Sequence, residues 1–456
     1  MTCCVGVLEL TSKYRYGFTL RGTPLYLFRP YDDALPEFVV GCSNRDLSSN
    51  QIALVEYTDI VVGIVKARAN LIRLIGPVGD FESERKALLL HYAPSKRVSD
   101  VDPIDDSLDA QRMEINSETG WFTYHIDPFG CKDIDDAIAF NRETGEVAIT
   151  IADAAATVQE GSVVDTIAHM VGATFYNLEG VVEVPMLPRA ISEGAASLTP
   201  GQRRRGVTLI VDREGRETFV LSWITVQHSY TYESADESRE IMKDEEHADS
   251  HKTIETLMIR YNTATARLLK KYGFGILRAQ ADAAKVSEWA SVDPSLQGLA
   301  NEAASYVPAS TQEDTVHASL DLEVYCHATS PIRRYADLVN QRYLKSIITG
   351  SDISATSMEE MATHLNERTK ANRRWTRDLT FLTHVTPGRV HYIDVMWISA
   401  DQFWVPEWKR IVRAKHLRPV TVGTDGVSTP VVRDRVAIFC DPTKRNWKNR
   451  VLTAAS

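Results

Sequence analysis

Long apolar runs and paired cysteines are both missing from this sequence of 456 residues. No run approaches the roughly 18–20 apolar residues that a membrane-spanning helix needs, so we expect no association with a membrane. The six cysteines form no CxxC pair and no histidines cluster near them, which argues against a zinc site or a disulfide framework and for a reducing compartment. The N-terminus lacks a basic segment followed by an apolar core, so no secretory signal is predicted and the expected location is intracellular.

Charge is unevenly distributed along the chain. The formal net charge of −10 is unusual for a protein that binds a polyanion. Residues 361–456, however, contain 17 Lys and Arg against 8 Asp and Glu. An acidic body with a basic C-terminal region is compatible with local binding of a polyanion, and equally compatible with a protein that never meets one. We find no internal repeat and no low-complexity segment.

Changes in the residue pattern divide the sequence into three parts. Short strand-like runs separated by Gly, Pro and Asp predict a small β-barrel at the N-terminus. A long mixed segment follows an acidic, proline-containing stretch, and strand-like texture returns near the C-terminus. The predicted strands are 5–10, 14–18, 25–28, 38–40, 60–65, 147–153, 207–212 and 431–439, and the predicted helices are 254–272, 332–348 and 357–380.

The aromatic side chains of the N-terminal part and those of the C-terminal part each allow two interpretations. The N-terminal ones are either ordinary barrel core or platforms on which nucleic-acid bases stack; they are Tyr14, Tyr16, Phe18 and Phe28. Five of the eight tryptophans lie in the basic C-terminal region, where Trp447 stands between basic residues. Such interleaving suits single-stranded nucleic acid, because charge follows the backbone and rings stack on bases. The alternative is a solvated surface over a small tryptophan-rich core.

Four aspartates fall within ten residues of one another: Asp127, Asp133, Asp135 and Asp136. Their neighbours include Ile126, Ile134 and Ala137, and carboxylates among apolar residues are costly unless something neutralises them. Mg²⁺ would do so, because it prefers oxygen ligands and usually shares its coordination shell with substrate phosphate. Two such ions can activate water and stabilise the leaving oxygen when a phosphodiester is cleaved. The cluster therefore predicts a magnesium site for phosphate chemistry.

The aspartates allow two rival interpretations. A calcium-binding EF-hand loop needs oxygen ligands at alternate positions, then a Gly and a distal Glu, and the sequence after Asp127 does not fit that pattern. A cluster of turns and caps, in which the carboxylates satisfy loop amides, stays open. Pro128 and Gly130 predict a turn here that lets Asp127 and Asp133 approach each other.

A second motif lies far downstream, at 325–338. A Thr-Ser pair can cap a helix there and Pro331 suits an early helical position, so Arg333 and Arg334 are predicted in the first turns of a helix. Basic residues gain nothing from the helix dipole at that end, which indicates an anion that they must reach. An arginine can bind a phosphate and stabilise charge that develops in a transition state. The alternative is an internal ion pair, for example with Asp337.

Taken together, the two motifs resemble those of the RNB family of exoribonucleases, the ribonuclease II and R group. The run from Asp127 to Ala137 resembles the family's metal-binding signature, and its Gly-Cys form is closest to the eukaryotic exosome-type branch. The run from His327 to Asp337 resembles the second signature. Further runs at 151–153, 185–188, 197–198 and 257–258 fall in the expected order, and 79–90 resembles the end of a cold-shock domain. The resemblance covers nearly the whole chain.

The resemblance implies an α+β fold and an activity. A mixed α/β RNB catalytic core at 96–386 would be flanked by a cold-shock-like OB-type β-barrel at 1–95 and a C-terminal OB-like RNA-binding domain at 387–456. The implied activity is that of a 3′→5′ exoribonuclease, which hydrolyses single-stranded RNA to nucleoside 5′-monophosphates. Magnesium-dependent attack of water on the 3′-terminal phosphodiester would do this, with Mn²⁺ as a second candidate ion. The alternative is a catalytically impaired RNA-binding protein with the same fold.

The resemblance also implies roles for individual residues. Asp127, Asp133, Asp135 and Asp136 would bind the metal, and Asp135, Arg333 and Arg334 would be catalytic. Arg333 would stabilise the transition state and Arg334 would contact a phosphate. The implied RNA-binding residues are Tyr176, Glu255, His327, Ser330, Tyr335 and Trp447. Tyr176 would stack on the 3′-terminal bases, a match that requires a two-residue insertion before the prolines that follow it.

The sequence departs from the family pattern at positions outside the aspartates. The family usually has His where this chain has Thr150 and Ala156, Cys in place of Ala196, and His in place of Gln341. These departures bear on packing and substrate affinity more than on chemistry. We expect one cold-shock barrel with no nuclease domain ahead of it, so tethering to an exosome is not supported, while membership of a larger RNA-processing complex stays open.

Overall fold

The computed structural model describes residues 2–58, 67–94, 101–238, 240–241, 249–281, 303–352, 357–385, 389–399, 401–408, 410–413, 432–439 and 452–454. The strands are β1 (Thr2–Leu8), β2 (Leu25–Pro30), β3 (Phe38–Gly41), β4 (Gln51–Tyr57), β5 (Ala67–Pro77), β6 (Met113–Ile115), β7 (Trp121–Ile126), β8 (Asp136–Asn141), β9 (Val147–Ala152), β10 (Phe175–Tyr176), β11 (Val182–Val184), β12 (Arg203–Val211), β13 (Glu217–Thr225), β14 (His228–Tyr230), β15 (Ile276–Ala279), β16 (Ser305–Pro308), β17 (Val390–Ser399), β18 (Gln402–Val405), β19 (Arg410–Arg413), β20 (Val432–Phe439) and β21 (Leu452–Ala454). The helices are α1 (Phe81–Tyr92), α2 (Val163–Val171), α3 (Tyr232–Glu237), α4 (Ser250–Tyr272), α5 (Tyr335–Thr349) and α6 (Met358–His384).

The N-terminal strands form a closed barrel in the order β1-β2-β3-β5-β4. Strand β1 pairs antiparallel with both β2 and β4, and the parallel pairing of β3 with β5 completes the barrel. Its interior is filled by inward-facing apolar side chains such as Phe28 and Phe38, both fully buried. Helix α1 follows directly, started by the Asp80 carboxylate, which accepts a hydrogen bond from the backbone N–H of Ser83. This confirms the predicted N-terminal OB-type barrel.

Part of the barrel prediction was wrong. Residues 14–18 form a loop rather than a strand, because Gly17 adopts a positive φ of 98° and only an isolated bridge from Phe18 to Pro24 remains. Tyr14 and Phe18 are about two-thirds exposed on this loop, whereas Phe28 is barrel core. The predicted strand at 60–65 lies outside the described residues. Strands β4 and β5 were not predicted.

A seven-stranded sheet forms the centre of the molecule, in the order β14-β7-β8-β9-β12-β13-β6. Its inner strands are antiparallel neighbours, while β14 runs parallel to β7 and β6 runs parallel to β13. Helices α4 and α5 pack against this sheet and against each other. The strands β8 and β9 are almost entirely buried, which explains their near-continuous apolar sequences. The aspartate segment connects the end of β7 to the beginning of β8.

The three predicted helices are present with shifted ends. Helix α4 begins at Ser250, where Asp249 caps it, and ends before Gly273 at a positive φ of 76°. Helix α6 begins after the capping residue Ser357. Helix α5 was predicted to include Arg333 and Arg334 but begins only at Tyr335. The preceding backbone is extended because it pairs with another segment, as described below.

The C-terminal strands form an antiparallel sheet in the order β19-β18-β17-β20-β21. Trp397, Trp404 and Trp408 are buried in or beside it, so a tryptophan-rich core is present. Trp447 and its basic neighbours lie outside the described residues. The predicted domain boundaries at 95/96 and 386/387 also fall on residues outside the described ranges, and they stay predictions. Within those ranges no helix is long and apolar enough to cross a bilayer.

Candidate active site

Hydrogen bonds hold the aspartate loop at its tip and at its far end. Its tip is a turn in which the N–H of Cys131 donates to the carbonyl of Pro128 at 3.1 Å, and Gly130 has a φ of +82°. At its far end, the hydroxyl of Ser197 accepts from the N–H of Ile134 at 3.1 Å and donates to the carbonyl of Lys132 at 2.7 Å. The carboxylates are therefore presented by a fixed backbone.

All four aspartates line one cavity of about 990 Å³. Asp127 accepts from Nδ1 of His125 at 2.8 Å. Asp133 accepts from the hydroxyl of Tyr176 at 3.4 Å. The buried Asp135 accepts at 3.0 Å from a backbone N–H and at 2.9 Å from an arginine of the second motif. No hydrogen bond or ion pair to the carboxylate of Asp136 is found among the described residues.

The electrostatics of the two adjacent aspartates are unfavourable to their charged forms. Burial raises the pKa of Asp135 to about 7, against the opposing effect of Arg333. Burial also raises the pKa of Asp136 to about 8, and the like charges of Asp127 and Asp135 raise it further. A cation placed between these carboxylates would favour their ionised forms and remove the repulsion.

The chemistry of this donor set fits a hard divalent cation, since it consists of carboxylate oxygens. Within the described ranges, no three acidic, His or Cys side chains are placed closely enough to form a complete ligand group. Mg²⁺ does not require one, because it usually retains several waters and binds through one or two carboxylates together with substrate phosphates. Asp127, Asp133, Asp135 and Asp136 are the side chains in this cavity that could hold such an ion.

The two arginines of the second motif are positioned by backbone pairing with the segment after α2. The N–H of Thr174 donates to the carbonyl of Arg333 at 2.9 Å, and the N–H of Tyr335 donates to the carbonyl of Gly172 at 2.9 Å. This pairing extends the backbone at Arg334, with φ −132° and ψ 126°, which is why α5 cannot begin earlier. The arginines are thus fixed by a segment that is remote in the sequence.

The side chains of the two arginines differ in their partners. Nε of Arg333 donates to Asp135, while its two terminal amino groups have no partner in the described part of the chain and its side chain is 46% exposed. Arg334 instead donates from Nη2 to the fully buried Asp337 at 2.8 Å. The internal ion pair considered from the sequence is therefore observed for Arg334. Arg333 keeps its terminal amino groups available for an anion.

Three of the predicted RNA-binding residues line the same cavity: Tyr176, Glu255 and Ser330. Tyr176 lies on β10, and its carbonyl accepts from Nε1 of the fully buried Trp375 at 2.7 Å. Glu255 forms an exposed ion pair with Lys252 at 2.8 Å. The backbone N–H of Ser330 donates to Asp337.

Two further predicted RNA-binding residues, His327 and Tyr335, do not line this cavity. His327 bonds through Nδ1 to the hydroxyl of Tyr306 at 2.9 Å, and burial holds the pKa of His327 well below its usual range. Tyr335 is buried and its hydroxyl donates to Asp165 at 2.8 Å. Trp447 lies outside the described residues. The assignment of these three to RNA binding stays a prediction.

Several cavity residues carry no signal that sequence reasoning could have used. Tyr232 lines the cavity and its ring stacks on His251 with centroids 3.7 Å apart. It reaches the aspartates because β14 runs parallel to β7, a pairing that the local sequence does not reveal. Asn262 on α4 accepts from the N–H of Ala328 at 2.8 Å and so joins that helix to the arginine motif. Phe129, at the tip of the aspartate loop, also lines the cavity.

Two of the departures from the family pattern, Gln341 and Thr150, are accommodated by local hydrogen bonds. Gln341 donates to the carbonyl of Ala152 at 2.8 Å and accepts from the N–H of Ala155 at 3.0 Å. The hydroxyl of Thr150 bonds to that of Thr208 at 2.8 Å within the central sheet. Both side chains are buried and satisfied, so these positions support packing around the site.

Comparison with known proteins finds a matching family and curated relatives. The model of the RNB domain family matches residues 115–247 and 237–350, slightly more than half of the chain. The chain is 26% identical to Exoribonuclease 2 of Yersinia pseudotuberculosis, with 60% of this chain and 57% of that protein aligned. It is also 26% identical to Exoribonuclease 2 of Photorhabdus laumondii, with 56% of this chain and 54% of that protein aligned. The chain thus spans somewhat more than half the length of these curated relatives.

Solved structures share the fold at low sequence identity. RNase R of Mycoplasma genitalium, in complex with ribose-methylated single-stranded RNA, superposes with a TM-score of 0.65 at 16% identity, covering 99% of this chain and 100% of that one. Yeast Ssd1, described as a pseudonuclease, superposes with a TM-score of 0.68 at 16% identity, covering 99% and 67%. The matched segments contain both the aspartate loop and the arginine motif. The chain belongs to the RNB domain family.

Proposed function

We propose that this chain is a divalent-metal-dependent 3′→5′ exoribonuclease that shortens single-stranded RNA to nucleoside 5′-monophosphates. The observation that carries the proposal is the meeting of four aspartates and Arg333 in one cavity of about 990 Å³. Carboxylates alone would repel a phosphodiester. A bound divalent cation would supply an activated water and would neutralise charge on the phosphate.

The residues of the cavity would bind the cation and the phosphate. Asp127, Asp133, Asp135 and Asp136 would hold the cation, with Mg²⁺ as the expected ion and Mn²⁺ as a substitute. Asp135 also orients Arg333 through the bond to Nε, and this leaves the terminal amino groups of Arg333 to donate to a phosphoryl oxygen.

Neighbouring side chains position the substrate. Arg334 lines the cavity, and its backbone forms an antiparallel bridge with Ala173, although its own ion pair with Asp337 makes it a positioning residue first. Tyr176 presents an aromatic ring in the same cavity and suits stacking on a base near the 3′ end, because every base offers a π-face.

The test follows 5′-labelled single-stranded RNA incubated with the parent chain and Mg²⁺. We expect a ladder of progressively shorter labelled products, no products in EDTA, and nucleoside 5′-monophosphates released from uniformly labelled RNA. Asp135→Asn should abolish shortening while RNA binding is retained. Hydrolysis by Asp135→Asn at the parental rate would refute the metal assignment.

A second candidate is an RNA-binding protein that keeps the fold without hydrolysis. The structural likeness to yeast Ssd1, described as a pseudonuclease, favours considering it. The retention of all four aspartates and of an available Arg333 favours the enzyme. Bound RNA that stays intact in Mg²⁺ and in Mn²⁺ would establish the second function instead.

A further inference from the structure

The aspartate loop carries an unusually exposed aromatic ring. Phe129 is 95% exposed, more than any other aromatic side chain in the described part of the chain. It lines the same cavity as the four aspartates. Exposed apolar side chains are common singly on protein surfaces, but this one stands in the wall of a cavity otherwise rich in charge.

The backbone that carries Phe129 is constrained. Pro128 precedes the ring with a fixed φ, Gly130 follows with a φ of +82°, and the N–H of Cys131 closes the turn on the carbonyl of Pro128 at 3.1 Å. A Cβ added at Gly130 would meet nothing within 4 Å, so the tip of the turn faces open space. The ring is therefore held out from the loop, and no other ring packs against it in the described residues.

We propose that Phe129 is a stacking platform for the base of a nucleoside that flanks the scissile phosphate. This inference rests on the proposed function. Phe129 lines the same cavity as Asp127 and Asp133, so a base that flanks a phosphodiester held by these aspartates enters the cavity in which the ring stands. A phenyl ring can stack on the face of a base, and every base has such a face. Tyr176 contacts the loop through Asp133, so the two rings would hold different bases or opposite faces of one.

The test is a binding cycle that does not depend on hydrolysis. Full-length chain with Asp135→Asn, in EDTA, is titrated with oligoadenylate and with the same oligomers carrying an abasic nucleotide at the 3′-terminal or the penultimate position. Adding Phe129→Ala should weaken binding of intact oligoadenylate by about 5- to 150-fold, the range measured for loss of one base stack. When the abasic nucleotide replaces the one whose base stacks on Phe129, Phe129→Ala should cause no further loss of affinity.

Two variants serve as controls. Phe129→Trp should restore the affinity, and should quench 2-aminopurine placed at the partner position. Phe81→Ala removes a ring that is 42% exposed at the start of α1 and does not line the cavity, so it should leave binding unchanged.

The outcomes separate this inference from the proposed function. Equal binding by Phe129→Ala and Phe81→Ala, or a loss that is as large with every abasic oligomer, would overturn the stacking role. If the Phe129 variants bind the intact and abasic oligomers as expected but the parental chain never shortens RNA, the proposed function alone would be overturned. Absence of any RNA affinity in the Asp135→Asn chain would overturn both.

Discussion

Nε of Arg333 donates to Oδ2 of Asp135 at 2.9 Å, and the other oxygen of that carboxylate accepts from the backbone N–H of Ile332 at 3.0 Å. One buried carboxylate therefore joins the two motifs of the sequence. The bond uses Nε and leaves both terminal amino groups without a partner among the described residues, on a side chain that lines the cavity. Arg333 is consequently oriented before any substrate arrives, which is the condition under which an arginine stabilises developing charge best.

Replacing this arginine should slow the chemical step. Arg333→Gln is expected to lower the single-turnover cleavage rate by roughly 10²-fold or more, because the terminal donors to the phosphate are lost. RNA affinity should fall far less, since other contacts hold the strand. Single-turnover kinetics with 5′-labelled RNA, together with binding in EDTA, measure the two effects separately.

Arg334→Gln is the matched comparison for that experiment. It breaks the pair with the buried Asp337, as Arg333→Gln breaks the pair with the buried Asp135, so both variants should lower the melting temperature. Only Arg333→Gln should remove the donors that reach the phosphate. A cleavage rate for Arg333→Gln close to the parental one would contradict the role given to Arg333.

Ser197 is expected to be needed for the geometry of the aspartate loop. Ser197→Ala leaves the buried N–H of Ile134 without its acceptor, which should cost about 1–3 kcal/mol of unfolding free energy and reduce turnover as the carboxylates lose their fixed positions. Ser222→Ala removes a hydroxyl that is equally buried and bonds to Thr208 in the same sheet, away from the loop. Urea unfolding and cleavage rates should show similar destabilisation in both variants and lower activity in Ser197→Ala only. Equal activity of the two would contradict the anchoring role.

Local sequence was sufficient for some features of the site and insufficient for others. The aspartate loop was predicted because a turn and four carboxylates lie close together in the chain. The start of α5 was mispredicted because capping residues suggested Pro331, whereas pairing with Thr174 keeps the backbone extended through Arg334. Pairing of that kind joins segments that are distant in sequence, and no local pattern reports it.

The same reasoning explains which functional residues were found. Motif positions such as Tyr176 and Ser330 do line the cavity, because the loops that carry them are anchored next to it. His327 and Tyr335 lie in the second motif but are turned into the core, where Tyr306 and Asp165 bond them. Whether a motif residue faces the substrate or the interior depends on packing between elements, which the sequence alone did not fix.

Stability of the metal-free chain should fall as the pH rises. The pKa of Asp136 is raised to about 8 in the folded chain, from its ordinary value of 3.8, because burial and neighbouring carboxylates disfavour the charge. Between these two values the folded state binds more protons than the unfolded state, so the stabilisation present at low pH is lost as the pH approaches 8. Thermal melting in EDTA from pH 5.5 to 8.5 should show a decline of several degrees, and Mg²⁺ should raise the melting temperature most at the alkaline end.

Asp136→Asn should reduce that decline, most clearly between pH 7 and 8, because the amide does not titrate, whereas Asp135, whose pKa is raised to about 7, still contributes below that range. Asp46→Asn is the control, since Asp46 is exposed and the hydroxyl and N–H of Ser48 lower its pKa. Its removal should leave the slope between pH 6 and 8 unchanged. A parental slope that persists in Asp136→Asn would show that other groups cause the pH dependence.

Trp375 should affect substrate affinity through Tyr176. Nε1 of Trp375 donates to the carbonyl of Tyr176 at 2.7 Å, and the indole is fully buried beneath the strand that carries this ring into the cavity. Trp375→Phe removes the donor and should raise KM for single-stranded RNA several-fold with little change in kcat, because the ring is displaced while the aspartates are untouched. Trp408→Phe is the matched control: its indole is also buried, but its N–H has no partner within the described residues, so KM should not change. In a Tyr176→Ala background the effect of Trp375→Phe on KM should disappear, since the residue that it positions is gone. An equal rise in KM with and without the Tyr176 ring would show that Trp375 acts by general destabilisation.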